Sequence, residues 1–223
     1  MDPLFDDAEA PPGVRQIADG AVHVSRWLDL SWQRYIVERF EEWAAGPVPL
    51  RAVELPGGHR MSVRTVCLGW HWRPYQYTRH AVDAGGEQVL AVPDWLVRLG
   101  RRALRTAYGD PEPGVVYRPD TALVNYYDDD AKMGMHQDKD ERSDAPVVSL
   151  SIGDTCKFRF GNPHTRTRPY VDVELRSGDL FVFGGAARFN YHGVPKIYPN
   201  TADPACGLTG GRINITLRET GLS

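Results

Sequence analysis

The sequence predicts a mainly β protein of the α+β class, a double-stranded β-helix (jelly roll) in which two helices buttress one sheet. After Asp110-Pro111 the chain consists of short candidate strands separated by Gly, Pro, Asn and Asp, as in a sandwich or jelly roll. Before that point, only two segments repeat apolar residues at helical spacing. The length of 223 residues suits one domain with a sizeable core, and no internal repeat or long linker divides it.

The composition and the first residues exclude several classes of protein. Hydrophobic residues make up 42% of the chain and charged residues 25%, as in ordinary globular proteins. No apolar run reaches the roughly 18 residues of a transmembrane helix, so we expect no membrane partner. The start, MDPLFDDAEAPPG, is acidic and Pro-rich, unlike a signal peptide, and predicts a disordered lead over residues 1–13. The odd number of distant cysteines (Cys67, Cys156, Cys206) argues against disulfides and favours a reducing, cytoplasmic location.

Two helices are predicted before the strand-rich region. The first is capped by Ser31 and runs to about Ala45, with a buried stripe of Trp32, Tyr35, Ile36, Phe40 and Trp43. The second runs from Asp94 to about Tyr108, where Gly109 can end it in a left-handed conformation. Both stripes are interpreted as packing surfaces rather than binding sites, because apolar residues at this spacing usually face a core.

The strands are predicted from extended, apolar stretches bounded by turn residues. One short strand spans residues 20–25, and residues 48–56 and 61–77 look extended, with a turn between them at Gly57-Gly58. Eight further candidates form the jelly roll, namely residues 121–127, 133–138, 146–152, 156–160, 170–175, 179–183, 188–192 and 212–218. We assign the jelly-roll core to about residues 115–222, within a single domain that spans residues 14–223.

Positive charge is concentrated in two segments, although the formal net charge is −3. Residues 55–82 contain no Asp or Glu and combine cationic with aromatic side chains, namely Arg60, Arg64, Arg73, Arg79, Trp70, Trp72, Tyr75 and Tyr77. This combination suits a groove for a nucleic-acid strand, because cations contact phosphates and rings stack on bases. Residues 155–171 form a second acid-free run, with Lys157, Arg159, Arg166 and Arg168. A solvated strand or hairpin with ordinary core aromatics is the alternative for each run.

One stretch, residues 125–141, carries a candidate metal motif. His136, Asp138 and Asp140 occupy alternate positions after a predicted strand, and alternate side chains of an extended chain project to the same side. An imidazole beside a carboxylate supplies two of the three ligands of a 2-His-1-carboxylate iron site. The motif is short and occurs by chance, so a polar surface turn is the alternative for this stretch taken alone.

Two later features extend the motif. His192 follows the apolar strand that ends at Phe183, a position where a histidine is commonly a satisfied core or surface residue. In the last strand, residues 212, 214, 216 and 218 are polar while 213, 215 and 217 are aliphatic. The polar face is wet in most strands of this pattern. If it lines a jelly-roll cavity instead, its two arginines require an anionic partner such as a dicarboxylate.

The order Asn125-x-Tyr127, His136-x-Asp138, His192 and Arg212-x5-Arg218 resembles that of the AlkB family of Fe(II)/2-oxoglutarate dioxygenases. The resemblance covers roughly residues 55–222, and its most specific parts are HQDKDE, YHG and RxNxTxR. It implies that the iron ligands are His136, Asp138 and His192. It implies 2-oxoglutarate contacts from Asn125, Tyr127, Arg212, Asn214 and Arg218. Arg212 would bind the distal carboxylate, and Arg218, nearer the metal, would join the three ligands as a catalytic residue.

The resemblance also implies the substrate contacts. Trp70 is similar to the family's tryptophan that stacks on the damaged base opposite His136, and further matching positions are Tyr75, Tyr77, Asp140 and Arg166. Residues 50–90 would then form an N-terminal nucleotide-recognition extension of the jelly roll. The implied partner is alkylated DNA in single-stranded form, with RNA as an alternative, and nothing in the sequence demands more than a monomer.

The activity implied by the resemblance is oxidative demethylation. Its cofactors are Fe(II), 2-oxoglutarate and O2; 2-oxoglutarate becomes succinate and an N-methyl group leaves as formaldehyde. Asp140 is placed to accept a hydrogen bond from the exocyclic amine of adenine or cytosine, which favours 1-methyladenine and 3-methylcytosine. Two alternatives remain open: a hydroxylase of a protein or small molecule with the same iron site, and a catalytically silent nucleic-acid-binding module.

The chain departs from the family pattern in one turn and is least constrained in one loop. Asp128-Asp129-Asp130 replaces the usual Pro-Gly turn after Tyr127, and three carboxylates near a nucleic-acid groove would repel phosphate unless the turn points away. The loop over residues 161–169 leaves open whether Arg166 or Arg168 takes the substrate position.

Overall fold

The structure is a computed structural model that describes residues 13–222. The predicted disordered lead therefore lies outside the described residues, except for Gly13, which begins the first strand. Within residues 13–222, no helix combines the length and apolarity needed to cross a membrane.

Fourteen strands are described, and most of them fall in two antiparallel sheets. Their bounds are β1 (Gly13–Ala18), β2 (Ala21–Ser25), β3 (Arg51–Glu54), β4 (Arg60–Leu68), β5 (His71–Arg73), β6 (Gln76–Thr78), β7 (Thr121–Tyr127), β8 (Met133–His136), β9 (Val147–Gly153), β10 (Thr155–Phe160), β11 (Val171–Leu175), β12 (Leu180–Phe183), β13 (His192–Tyr198) and β14 (Arg212–Arg218). The major sheet has the order β1-β2-β12-β9-β14-β7-β4-β3, and the minor sheet the order β11-β10-β13-β8. Strands β5 and β6 form a separate hairpin.

The helices are α1 (Leu30–Ala44), α2 (Asp94–Tyr108) and the short α3 (Pro111–Val116). The cap of α1 is Asp29 rather than Ser31, because an Asp29 carboxylate oxygen accepts a hydrogen bond from the Trp32 amide at 2.8 Å. The other predicted end is confirmed: Gly109 stops α2 at φ 65°, a conformation that glycine adopts without steric cost.

The major sheet separates two apolar cores. Its outer face packs on α1 and α2 through a cluster that includes Ile36, Leu99 and Ile215. Its inner face packs on the minor sheet, where the rings of Phe158 and Phe181 meet edge to face at 4.8 Å. This arrangement, two facing antiparallel sheets with helices behind one of them, is the predicted jelly roll with buttressing helices.

The strand predictions differ from the structure at residues 61–77, where the expected extended stretch is broken at Gly69 and by the turn between β5 and β6, and around His192. We expected a strand over residues 188–192, but a 3-10 turn at Gly185–Ala187 is followed by β13, which begins at His192. The prediction relied on the aromatic residues Phe189 and Tyr191, whereas the strand is built from the following GVPKIY segment, whose proline lowers its apparent strand propensity. The first strand, β1, was also missed.

Candidate active site

Strand β14 turns its polar face into the space between the two sheets. Ile213, Ile215 and Leu217 join the core against the helices, so the alternate residues must point inward. Arg212 and Arg218 are 1% and 7% exposed, so this polar face is buried and not solvent-exposed. Buried guanidinium groups require compensating partners, so the face is arranged for anions.

Arg212 has unused hydrogen-bonding capacity in a small cavity between the two sheets. Its Nη2 donates to Ser151 Oγ at 3.0 Å, while its buried Nε and Nη1 have no hydrogen-bond partner among the described residues. The surrounding cavity has a volume of about 30 Å³ and is lined also by Tyr127, Asn214 and His192. Nη1 lies beside Nη2, and each of them has a hydrogen not used by Ser151, so these two nitrogens can donate together to the two oxygens of a carboxylate, and the site fits the distal carboxylate of 2-oxoglutarate.

The other predicted 2-oxoglutarate residues line the same cavity. Asn214 is held by its Nδ2, which donates to Ser149 Oγ at 2.8 Å, and Asn125 by its Oδ1, which accepts from Thr65 Oγ1 at 2.7 Å. Burial raises the pKa of Tyr127 to about 12, so its hydroxyl stays protonated and can donate to a carboxylate. The geometry therefore brings the five predicted 2-oxoglutarate residues together.

The three predicted metal ligands converge at the edge of this cavity. Strands β8 and β13 pair so that His136 lies opposite His192, and the chain continues two residues beyond β8 to place Asp138 near both histidines. The distances from Asp138 carboxylate oxygens to His136 Nε2 and to His192 Nε2 are both 3.6 Å. One donor atom from each residue lies within 4.8 Å of the others. Separations of this size fit three ligands around one divalent ion.

Backbone contacts fix both imidazoles in a ligating form. His136 Nδ1 lies 2.9 Å from Gly134 O, and His192 Nδ1 lies 3.0 Å from Asn190 O. A carbonyl oxygen can only accept, so each Nδ1 carries the hydrogen and each Nε2 presents its lone pair. Burial, assisted by the neighbouring His192, lowers the pKa of His136 to about 4, so this imidazole is neutral at pH 7.

Asp138 is kept ionised although it is 4% exposed. Burial alone would raise the pKa of its carboxyl group, but the charge of Arg218, together with the two histidines, holds this pKa well below its usual range. Arg218 Nη2 lies 2.8 Å from an Asp138 carboxylate oxygen. A carboxylate and two neutral imidazoles are the donor set of a 2-His-1-carboxylate site, so the residues present fit Fe(II).

A larger cavity of about 330 Å³ opens onto two of the metal-ligating residues, His136 and Asp138. The predicted substrate residues Tyr75, Asp140 and Arg166 line it, together with His136 and Asp138. Tyr75 is 74% exposed at its rim. Arg168 lies instead in a separate surface depression beside Tyr170, so Arg166 is the arginine at the cavity.

The structure places Trp72, not Trp70, in the lining of this cavity. Trp72 Nε1 donates to an Asp140 carboxylate oxygen at 2.9 Å. The Trp70 ring is covered by the Arg79 guanidinium at 3.5 Å, and its Nε1 donates to Asp120 at 3.0 Å. This differs from the prediction for Trp70.

A bend in the chain explains the difference. Gly69 adopts φ +77°, and a Cβ there would lie 1.9 Å from Asp120 O, so the close approach requires glycine. The bend breaks the alternation between β4 and β5 and turns Trp70 away. Counting residues from the family motif cannot detect such a bend.

The structure also places Tyr77 outside the cavity lining, in a buried network that the sequence analysis missed. Its hydroxyl donates to Glu141 Oε1 at 2.6 Å, and Glu141 in turn contacts Arg188 and Arg218. The only hint in the sequence is that Glu141 ends the HQDKDE motif. Arg188 belongs to no motif that we recognised, and its role depends on contacts between residues about 50 positions apart.

The unusual Asp128–Asp130 turn lies outside both cavities. Asp128 forms an ion pair with Arg64 at 2.9 Å, and Arg64 also covers the ring of Tyr126 at 4.9 Å. One of the three carboxylates is therefore neutralised, and Arg64 is engaged away from the substrate cavity.

Comparisons with known proteins agree with this geometry. The family model described as the 2OG-Fe(II) oxygenase superfamily matches residues 20–218. The alpha-ketoglutarate-dependent dioxygenase AlkB homolog of Caulobacter vibrioides is 40% identical over 198 residues, covering 86% of this chain and 84% of that protein. The alpha-ketoglutarate-dependent dioxygenase AlkB of Escherichia coli (strain K12) is 35% identical over 227 residues, covering 98% and 97%. The solved structure of OsALKBH1 aligns with a TM-score of 0.81 at 29% identity, covering 92% of this chain and 100% of that one. The chain therefore belongs to the 2OG-Fe(II) oxygenase superfamily and, within it, to the AlkB family.

Proposed function

We propose that this enzyme oxidatively demethylates N-alkylated bases of nucleic acids, with 1-methyladenine and 3-methylcytosine in single-stranded DNA as preferred substrates. The observation that carries the proposal is the cavity of about 330 Å³ in which Trp72, Asp140 and the metal-ligating His136 share one lining. It offers an aromatic face, a carboxylate acceptor and an oxidising centre to a single planar base. Relatives named alpha-ketoglutarate-dependent dioxygenase AlkB, and Arabidopsis thaliana relatives named DNA N(6)-methyladenine demethylases, support oxidation of a methylated base.

Fe(II) held by His136, Asp138 and His192 would supply the oxidising power for the reaction, with 2-oxoglutarate and O2 as co-reactants. The overall conversion would turn 2-oxoglutarate into succinate and carbon dioxide, with one oxygen atom of O2 ending in succinate. The other oxygen atom is inserted into a C–H bond of the N-methyl group, and the resulting N-hydroxymethyl group breaks its C–N bond to release formaldehyde. The base keeps an N–H where the methyl group was.

The chain's own residues bind and orient the reactants. Arg212 and Tyr127 donate to a 2-oxoglutarate carboxylate, and Trp72 offers its ring to the base. Asp140 has a second task, because one of its oxygens accepts the Trp72 indole N–H at 2.9 Å and thereby fixes the ring. Among the described residues, no hydrogen bond engages its other oxygen. That oxygen is available to the exocyclic amine of adenine or cytosine.

Charge favours the two proposed lesions. Methylation at N1 of adenine or N3 of cytosine uses the ring-nitrogen lone pair and leaves the base cationic at neutral pH. Asp140 places a carboxylate at the cavity, so it attracts a cationic base more than a neutral one. Bases methylated without gaining charge lack this attraction.

The strand preference is supported by the rim of the cavity. Lys139 and Arg166 are exposed and line it, where they can contact phosphates that flank the extruded base. The acid-free segment 55–82 contributes less than its composition suggests, because Arg64 and Arg79 cover Tyr126 and Trp70. A single strand avoids the cost of unpairing the base, which favours it over duplex.

Formaldehyde release from a matched panel of oligonucleotides tests the proposal. The panel carries 1-methyladenine, 3-methylcytosine or N6-methyladenine in DNA and RNA, single- and double-stranded. We expect the highest kcat/KM for the two cationic lesions in single-stranded DNA, with KM rising steeply with salt concentration. Turnover of every lesion at one rate, or a KM that does not depend on salt, contradicts the proposed base or strand recognition.

Two variants of Asp140 separate its two tasks. Asp140→Asn keeps an oxygen that can accept the Trp72 N–H but removes the charge, whereas Asp140→Ala removes both. We expect Asp140→Asn to reduce the preference for cationic lesions with little change in metal affinity, and Asp140→Ala to raise KM for all lesions as well. If the ratio of kcat/KM between cationic and neutral lesions is the same in the wild type and in Asp140→Asn, the charge of Asp140 does not contribute to base recognition.

We further propose that the enzyme acts as a cytoplasmic monomer. The thiols of Cys67, Cys156 and Cys206 are free and buried, which suits a reducing compartment. Sedimentation of the purified chain at working concentration tests the monomeric state, and a dimer mass contradicts it.

A further inference from the structure

The metal ligand Asp138 belongs to a buried group of four charged side chains. They are two acids and two bases, namely Asp138, Glu141, Arg188 and Arg218, so their formal charges balance. The side chains of Arg188 and Glu141 are 2% and 0% exposed. A balanced group of buried charges persists only when each charge has partners, so each contact in it constrains the others.

Arg188 links three separate parts of the chain. Its Nη1 donates to the backbone oxygen of Asp138 at 2.6 Å, its Nε donates to Ala145 O at 2.8 Å, and its Nη2 lies 3.1 Å from Glu141 Oε2. Arg188 follows the 3-10 turn at Gly185–Ala187 and precedes His192 by four residues. It therefore ties the segment that leads into His192 to the segment that carries Asp138.

Glu141 transmits this constraint to the carboxylate of Asp138. Its Oε1 accepts from Arg218 Nη1 at 2.9 Å, and Arg218 Nη2 lies 2.8 Å from an Asp138 oxygen. The same Oε1 accepts from the Tyr77 hydroxyl, which belongs to the β5–β6 hairpin. Both the backbone and the side chain of Asp138 are thus held, and Glu141 and Arg188 take part in this without lining the substrate cavity.

We propose that Arg188 and Glu141 are positioning residues that hold Asp138 in its metal-ligating geometry. Neither residue touches the donor atoms of the metal site, and they act through Asp138 and Arg218. The role is independent of the substrate, so it can be tested by metal binding alone, with Co(II) as the probe. Loss of partners behind a metal ligand typically weakens metal affinity by about 10–100-fold.

The test compares Co(II) dissociation constants of folded variants. Glu141→Gln combined with Arg188→Met removes one acid and one base, so Asp138 and Arg218 still balance each other. We expect this double variant to bind Co(II) about 10–100-fold more weakly and to show an altered Co(II) absorption spectrum, which reports ligand geometry. A folded double variant with wild-type affinity and spectrum overturns the proposal.

A milder variant and a control complete the design. Arg188→Lys keeps the charge but cannot make all three contacts, so we expect an intermediate loss of affinity; wild-type affinity here also overturns the proposal, even if the double variant does not fold. Asp179→Asn disrupts a buried contact with His23 (2.9 Å) among residues that line neither cavity. It should lower Tm without changing Co(II) affinity. An equal loss of affinity in this control would assign the effect to general destabilisation and overturn the proposal.

Discussion

Arg212 and Arg218 lie on the same face of β14, yet their surroundings give them different tasks. Arg218 forms ion pairs with Asp138 and Glu141. Burial acts to lower the pKa of Arg218, but the negative charge of Asp138 keeps this pKa well above its ordinary value. Arg212 keeps two buried nitrogens, Nε and Nη1, without hydrogen-bond partners in the described part of the chain. The charge of Arg218 is thus balanced by carboxylates of the protein, whereas Arg212 has donors available for the carboxylate of a bound ligand.

Arg212→Lys tests this assignment. Lysine keeps the charge but cannot offer two parallel donors to one carboxylate, so we expect loss of a charge-assisted hydrogen bond worth about 1.5–3 kcal/mol. The KM for 2-oxoglutarate should rise by about 10–150-fold, measured as succinate formation against 2-oxoglutarate concentration. The KM for the oligonucleotide should stay near its wild-type value; a rise in that KM alone would place Arg212 in the substrate site.

Trp72→Ala and Trp70→Phe test which tryptophan meets the base. Stacking of a base on an aromatic side chain is worth about 1–3 kcal/mol, so Trp72→Ala should raise the oligonucleotide KM by about 5–150-fold. Trp70→Phe keeps a ring beneath Arg79 and should leave this KM unchanged while lowering Tm, because the hydrogen bond to Asp120 is lost. The reverse pattern would return the stacking role to Trp70.

These residues also show how far the sequence predicts the site. The inward arginines of β14 follow from strict alternation, because a strand has a fixed period and its aliphatic face must meet the helices. Trp72 could not be predicted, since the bend at Gly69 depends on contact with Asp120, about 50 positions away. The role of Arg188 could not be predicted for the same reason, because the residues that it contacts are distant in the sequence and Arg188 belongs to no recognised motif.

At the scale of elements, the β5–β6 hairpin connects the substrate cavity to the body of the protein. Trp72 lines the cavity from this hairpin, Tyr77 anchors it to Glu141, and His71 anchors its base. His71 Nε2 lies 2.6 Å from Asp83 and 2.8 Å from Arg51 on β3. The hairpin is therefore fixed at three points, which favours a preformed cavity over one that assembles on binding.

The buried histidine predicts a pH dependence of stability. Burial lowers the pKa of His71 despite the opposing effect of Asp83, so the folded state resists the proton that the unfolded state binds below pH about 6.5. Stability should fall as pH decreases from 7.5 to 5.5, by at most about 1.4 kcal/mol per pH unit from this group. The pKa of Asp83 is also lowered from its ordinary value, so this carboxyl group titrates below the pH range of His71.

Urea unfolding of wild type and His71→Gln at pH 7.5 and pH 5.5 measures this contribution. The variant lacks the titrating imidazole, so its free energy of unfolding should change less between the two pH values. Equal changes in the two proteins would show that His71 does not couple the hairpin's stability to pH.

At the scale of the whole molecule, the two sheets contribute different residues to the active site. The major sheet carries Asn125, Tyr127, Arg212 and Asn214 towards the interior, and the minor sheet carries His136 and His192 to meet them. The jelly roll was predicted from the spacing of strands and the resemblance, whereas the assignment of these residues to separate sheets was not predicted. The start of β13 at His192 was not predicted either, because the proline within this strand lowers its apparent strand propensity.

The most direct test of the whole account is the ratio of products formed on a single-stranded oligonucleotide with one 1-methyladenine. Succinate, formaldehyde and repaired adenine should appear in equal amounts, only with Fe(II), 2-oxoglutarate and O2 present, and none should appear with His136→Ala. Succinate that forms at the same rate on the unmethylated oligonucleotide, or repaired base without succinate, would contradict the assignment of this site as a 2-oxoglutarate-dependent base demethylase.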